Sequence, residues 1–129
     1  MLAFYVLYCS HMQIPFNMTV PRLKLNEGEQ LVVQFPLMRK KGIFGNRFGE
    51  LVFTNQRVVF VKAIMKGLVA MAVNAKGANP MLTFDRSGLR ADKLAAKKTY
   101  LLQLTSGAQI EKFVASDEQI AGVLSQLSK

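Results

Sequence analysis

Residues 49–63 read Gly-Glu-Leu-Val-Phe-Thr-Asn-Gln-Arg-Val-Val-Phe-Val-Lys-Ala, and they constrain the fold more than any other stretch. Two runs rich in Val, Leu and Phe flank Thr54-Asn55-Gln56. Branched and aromatic side chains pack well on a pleated surface, so both runs predict strands, over 48–54 and 57–62. Asn tolerates a left-handed backbone and hydrogen-bonds its own main chain, so Asn55 predicts the turn. The two strands are therefore antiparallel neighbours, and the rest of the chain must cover their hairpin.

The flanking segments extend the pattern. Residues 31–38 predict a strand, and Pro36 within it predicts an edge position or a bulge, because proline donates nothing to a ladder. Residues 81–86 and 89–98 read as two further strands, the second short and irregular. Residues 99–105 and 109–115 alternate about Ser106-Gly107 and form a second hairpin. Ser116 and Gln119 have the spacing of a reciprocal helix cap. Ile120, Val123, Leu124 and Leu127 then recur at helical spacing, one apolar stripe suited to covering a sheet.

Residues 64–78 stand apart. No charge falls between Lys66 and Lys76, and the Ala and Met content favours a helix. The stretch is too short to span a bilayer. A helix so apolar on every side must be buried or touch a membrane or another subunit. Burial as a connector is the expectation, because apolar residues usually go inside. Residues 1–22 read as an N-terminal arm or extension, and residues 23–129 as one domain. The order of elements predicts a mainly β (α+β) fold: a partly open antiparallel barrel of about seven strands capped by one C-terminal α-helix.

Charge and composition narrow the chemistry. Lys plus Arg number 17 against 8 Asp plus Glu, a formal charge of +9, so phosphates on lipid, nucleotide or nucleic acid are the natural partners. Cys9 and His11 are each the only residue of their kind. They rule out an internal disulfide, a Cys-based metal cluster and a multi-His site, and both read as incidental. No glycine spacing matches a phosphate loop or a dinucleotide turn. The expectation is a protein that is not an enzyme and takes no cofactor. Nucleic acid is an unlikely partner, because Phe60 reads as core and Phe44 and Phe48 are too few for a stacking platform.

Residues 49–61 also resemble a hairpin of the pleckstrin-homology-like superfold, in its GRAM or bacterial PH-like branch. The likeness is a Gly, an apolar strand, Thr-Asn-x-Arg, and a second apolar strand ending in aromatic and aliphatic residues. Residues 100–114 resemble that family's last sheet hairpin and residues 116–127 its closing helix, so the likeness runs over residues 31–127. It implies a non-catalytic module that binds lipid or protein, with cations of the loop between the first two strands meeting lipid phosphates. Here that loop, 39–47, offers Arg39, Lys40, Lys41 and Arg47 as phosphate ligands, with Ile43 and Phe44 as membrane contacts. Arg57, inside the turn motif, reads as structural. The apolar 64–78 connection and the N-terminal arm depart from the family pattern. The expected partner is an anionic lipid headgroup, at a cytoplasmic, peripheral membrane location. The alternative is a protein-interaction or self-assembly domain, a homo-oligomer held by residues 64–78 or the arm.

Overall fold

The computed structural model describes residues 17–40, 46–95 and 100–128. In chain order these form β1 (Met18–Thr19), β2 (Leu31–Lys40), β3 (Arg47–Thr54), β4 (Arg57–Lys62), β5 (Ile64–Met65) and α1 (Leu68–Lys76). Then come β6 (Leu82–Asp85), β7 (Arg90–Ala95), β8 (Tyr100–Ser106), β9 (Gln109–Ala115) and α2 (Asp117–Leu127). Seven strands make one antiparallel sheet in the order β6-β4-β3-β2-β9-β8-β7. β2 joins the two hairpins by pairing with both β3 and β9, and among the described residues β6 and β7 are the edges of this sheet. The result is the expected architecture, a partly open barrel with a C-terminal helix.

Alternation along β3 and β4 sorts their side chains to two faces. Leu51, Phe53, Val58 and Phe60 face the main core with Phe35, Leu37, Phe84, Leu102, Leu104 and Phe113. Helix α2 closes this core with Ile120 and Val123. Its start is fixed by the reciprocal cap: Ser116 Oγ accepts from Gln119 N, and Gln119 Oε1 accepts from Ser116 N. Gln119 Nε2 also donates to the Pro36 carbonyl at 2.7 Å, so the same side chain ties the helix to β2. Arg86 holds the far end, donating to the carbonyls of Thr54 and Gln126. An ion pair between Lys93 and Asp117 links β7 to α2.

Pro36 meets its expected edge position only locally. Its strand is central in the sheet, and the irregular register falls at Leu31/Val33, away from the proline. β9 pairs with Met38–Lys40, so among the described residues no strand flanks Pro36 on the side of β2 away from β3, and no N–H is needed there.

Val52, Val59 and Val61 face outward and make a second apolar cluster with Leu23 and Ala78, joined by Val20 and Val73. The chain around 20–24 crosses this outer face. It is pinned by Lys24 N to Ala78 O at 2.8 Å and Ala78 N to Arg22 O at 2.7 Å. A cleft of about 730 Å³ opens beside it, lined by Arg22, Gln34, Glu50, Val52, Asn74 and Ala75 among others.

Residues 68–76 are helical, as their composition predicts, but the buried-connector expectation fails. Ala70 is the buried residue of α1, while Leu68, Val69 and Met71 are 84%, 70% and 68% exposed. The reason is geometric. The sheet's outer face takes only the side of α1 that carries Ala70 and Val73, and a helix apolar all round has further faces to cover.

Candidate anion-binding end of the barrel

Strand register, rather than the 39–47 loop alone, assembles the cations. β2 runs on through Lys40 and β3 begins at Arg47, so Arg39, Lys40 and Arg47 stand on strands and not in a loop. Lys41, Ile43 and Phe44, the remaining expected site residues, lie outside the described residues. Arg39 is the direct cross-strand partner of Arg47, and Lys40 of Lys112 on β9. Lys62 pairs with Gly49, two residues along β3 from Arg47. One end of the sheet therefore carries Arg39, Lys40, Arg47, Lys62 and Lys112.

These cations differ in environment. Arg39 is buried, and its Nε and Nη2 donate to the Glu111 carboxylate at 3.0 and 3.1 Å. That two-pronged pair fills the fork of the guanidinium, which leaves Arg39 a strut between β2 and β9 rather than a ligand for an external phosphate. Lys40, Arg47, Lys62 and Lys112 are exposed. Arg47 donates from Nη1 to the Asn46 carbonyl at 3.2 Å. Like charges directly opposite one another destabilise a sheet, and the Lys40–Lys112 pair is such a juxtaposition. Glu111 neutralises one cation here, and the rest present a positive field that an anion relieves.

Lys62 and Lys112 are absent from a reading of the 39–47 loop. Lys62 closes a strand and Lys112 sits in the middle of a later hairpin. Only the pairing of the first long strand with the last brings Lys112 opposite Lys40, and no local signal announces that pairing.

The Thr-Asn-x-Arg turn lies at the opposite end and is structural throughout. Asn55 Oδ1 accepts from Gln30 N at 2.8 Å, and Asn55 Nδ2 donates to the Gly28 carbonyl. No described non-glycine residue has a positive φ, so Asn55 serves here by its side-chain bonds and not by a left-handed backbone. Arg57 donates to the Glu29 carboxylate and to the Lys24 carbonyl. The structural role expected of it holds, with a carboxylate as its main partner.

Among the described residues, no group of three or more His, Cys, Asp or Glu is placed to hold a metal ion. No described helix is long and apolar enough to cross a membrane. Comparisons with protein-family models, with curated proteins and with solved structures gave no match.

Proposed function

We propose that the protein is a non-catalytic binding module of the PH/GRAM-like type. It associates peripherally with anionic membrane lipid through the cationic end of its barrel. The observation that carries this reading is the gathering of exposed Lys40, Arg47, Lys62 and Lys112 at one end of the sheet, where Glu111 is already committed to Arg39. Each basic residue near an anionic leaflet contributes about 1 kcal/mol, so cations sharing one end of a rigid scaffold add to a useful affinity. In sequence Lys41 follows Lys40, and Ile43 and Phe44 come between it and Arg47; Lys41 is proposed as a further phosphate ligand and Ile43 and Phe44 as membrane contacts. The cytoplasmic leaflet, which carries anionic lipid, is the matching surface.

The test is sedimentation with vesicles of phosphatidylcholine alone and of phosphatidylcholine with phosphatidylserine, at low and high salt. Binding to the anionic vesicles that weakens with salt is expected. It should be lost in the Lys40→Glu, Arg47→Glu double variant. Retention of full binding by that variant overturns the barrel end as the lipid site. Tighter binding to single-stranded nucleic acid than to anionic vesicles at matched salt overturns the lipid reading.

A further inference from the structure

We infer that the outward face of α1 is a second membrane contact, seated among the headgroups of an anionic bilayer. The inference rests on the reading that the barrel end meets lipid. Met65 at the end of β5 and Leu68, Val69 and Met71 in the first turn of α1 are 57%, 84%, 70% and 68% exposed, four large apolar side chains within seven residues. Exposed apolar groups collected in one place mark an interaction surface.

Position and charge select the partner. Ala63 N donates to the Phe48 carbonyl at 2.7 Å, so the chain leading into β5 and α1 leaves the sheet beside the start of β3, the end that carries Arg47. Exposed Lys62 precedes the apolar group, exposed Lys66 falls between Met65 and Leu68, and exposed Lys76 ends the helix. From Leu51 to Phe84 the chain contains no Asp or Glu. Glu50 lines the cleft together with Asn74 and Ala75. A second copy docked on α1 would bring these lysines against one another with no carboxylate in the segment to pair with them. An anionic bilayer supplies the opposite charge and an apolar layer together. Apolar side chains entering that boundary leave water while neighbouring lysines keep their charged ends among the headgroups.

The chain has no Trp, so Leu68→Trp places one reporter indole at an exposed site. With phosphatidylcholine–phosphatidylserine vesicles its emission should shift to the blue and be quenched by brominated acyl chains. A solvent-like indole on protein that sediments with those vesicles overturns the inference and leaves the barrel-end reading standing. Failure of the wild-type protein to sediment at all overturns both. A blue shift that appears on raising protein concentration without vesicles assigns the face to self-association and overturns the inference. As a second arm, Leu68→Gln with Met71→Gln should lower vesicle partitioning about tenfold or more while circular dichroism is unchanged. Wild-type partitioning in that variant overturns the inference.

Discussion

The Glu29 carboxylate and the Arg57 guanidinium meet edge to edge, with Oε2 2.8 Å from Nε and Oε1 3.0 Å from Nη2. The Glu29 side chain is 0% exposed and that of Arg57 15%. Thr54 Oγ1 donates to the same carboxylate at 2.6 Å and Asn26 N at 2.8 Å. The central hairpin therefore holds the preceding chain through one ion pair that is shielded and fully hydrogen-bonded. Removing Glu29 leaves the largely covered Arg57 guanidinium without its carboxylate, and removing Arg57 leaves the Glu29 carboxylate buried without its cation. Glu29→Ala is expected to cost roughly 3–5 kcal/mol. Arg57→Lys keeps the charge but loses the fork, and should cost less. Urea unfolding of the three proteins checks the order; equal midpoints for wild type and Glu29→Ala would refute it.

The same pair sets an acid limit. Hydrogen bonds from Arg57 dominate in holding the Glu29 pKa down, burial opposes them, and Thr54 and Asn26 add to the lowering, from 4.5 to about 2. A group whose pKa is depressed on folding stabilises fully above its unfolded value, and that contribution fades as pH falls toward the folded value. Wild-type stability should therefore drop between pH 4.5 and about 2. Glu29→Gln, less stable at neutral pH, should lose less over that window. Denaturant midpoints measured across the range test this, and parallel curves for the two proteins would contradict it.

Two glycines are required by close approach. A Cβ on Gly49 would strike the Val61 carbonyl oxygen and come within 2.8 Å of the Phe60 ring. The carbonyl belongs to the paired strand, so Gly49→Ala must push β3 and β4 apart. A Cβ on Gly122 would lie 2.7 Å from the Phe35 ring, which packs edge-on against Phe53. Alanine gains about 1 kcal/mol of helix propensity there, against about 1–3 kcal/mol for overpacking a filled core. Gly122→Ala should be mildly destabilising and Gly49→Ala more so. Thermal melts that show either variant above wild type would count against these contacts.

Local chemistry made much of this fold readable. Val52 and Phe53 to either side of a pleat, and Ser116 with Gln119 at a helix start, declare themselves over a few residues. The exposure of α1 did not, because Leu68, Val69 and Met71 lie on a helix without a polar face, and periodicity then says nothing about which side is covered. Pro36 signalled an edge but not where the edge comes from. Its tolerance depends on where β9 stops, a contact between residues far apart in sequence. The site was partly legible. Lys40 and Arg47 were readable as cations near one another, though they stand on strands and not in a loop, whereas Lys62 and Lys112 arrive through strand register, and the Glu111 partner of Arg39 is 72 residues distant.

Arg39 and Arg47 look interchangeable in sequence, yet they sit in different surroundings. They are cross-strand partners, but Arg39 is buried against Glu111 and Arg47 is exposed. Arg39→Gln would leave the Glu111 carboxylate, 18% exposed, without its fork, which should cost about 1–3 kcal/mol. Arg47→Gln removes a surface charge and should change stability by no more than about 0.5 kcal/mol. Vesicle binding should follow the reverse order under conditions where both variants are folded. Arg47→Gln should weaken it by a factor of about five, the equivalent of about 1 kcal/mol per basic residue at an anionic surface, and Arg39→Gln by less. Paired denaturation and sedimentation measurements separate the two roles. If Arg39→Gln left stability intact and weakened binding more than Arg47→Gln, the strut and the ligand would have to exchange places.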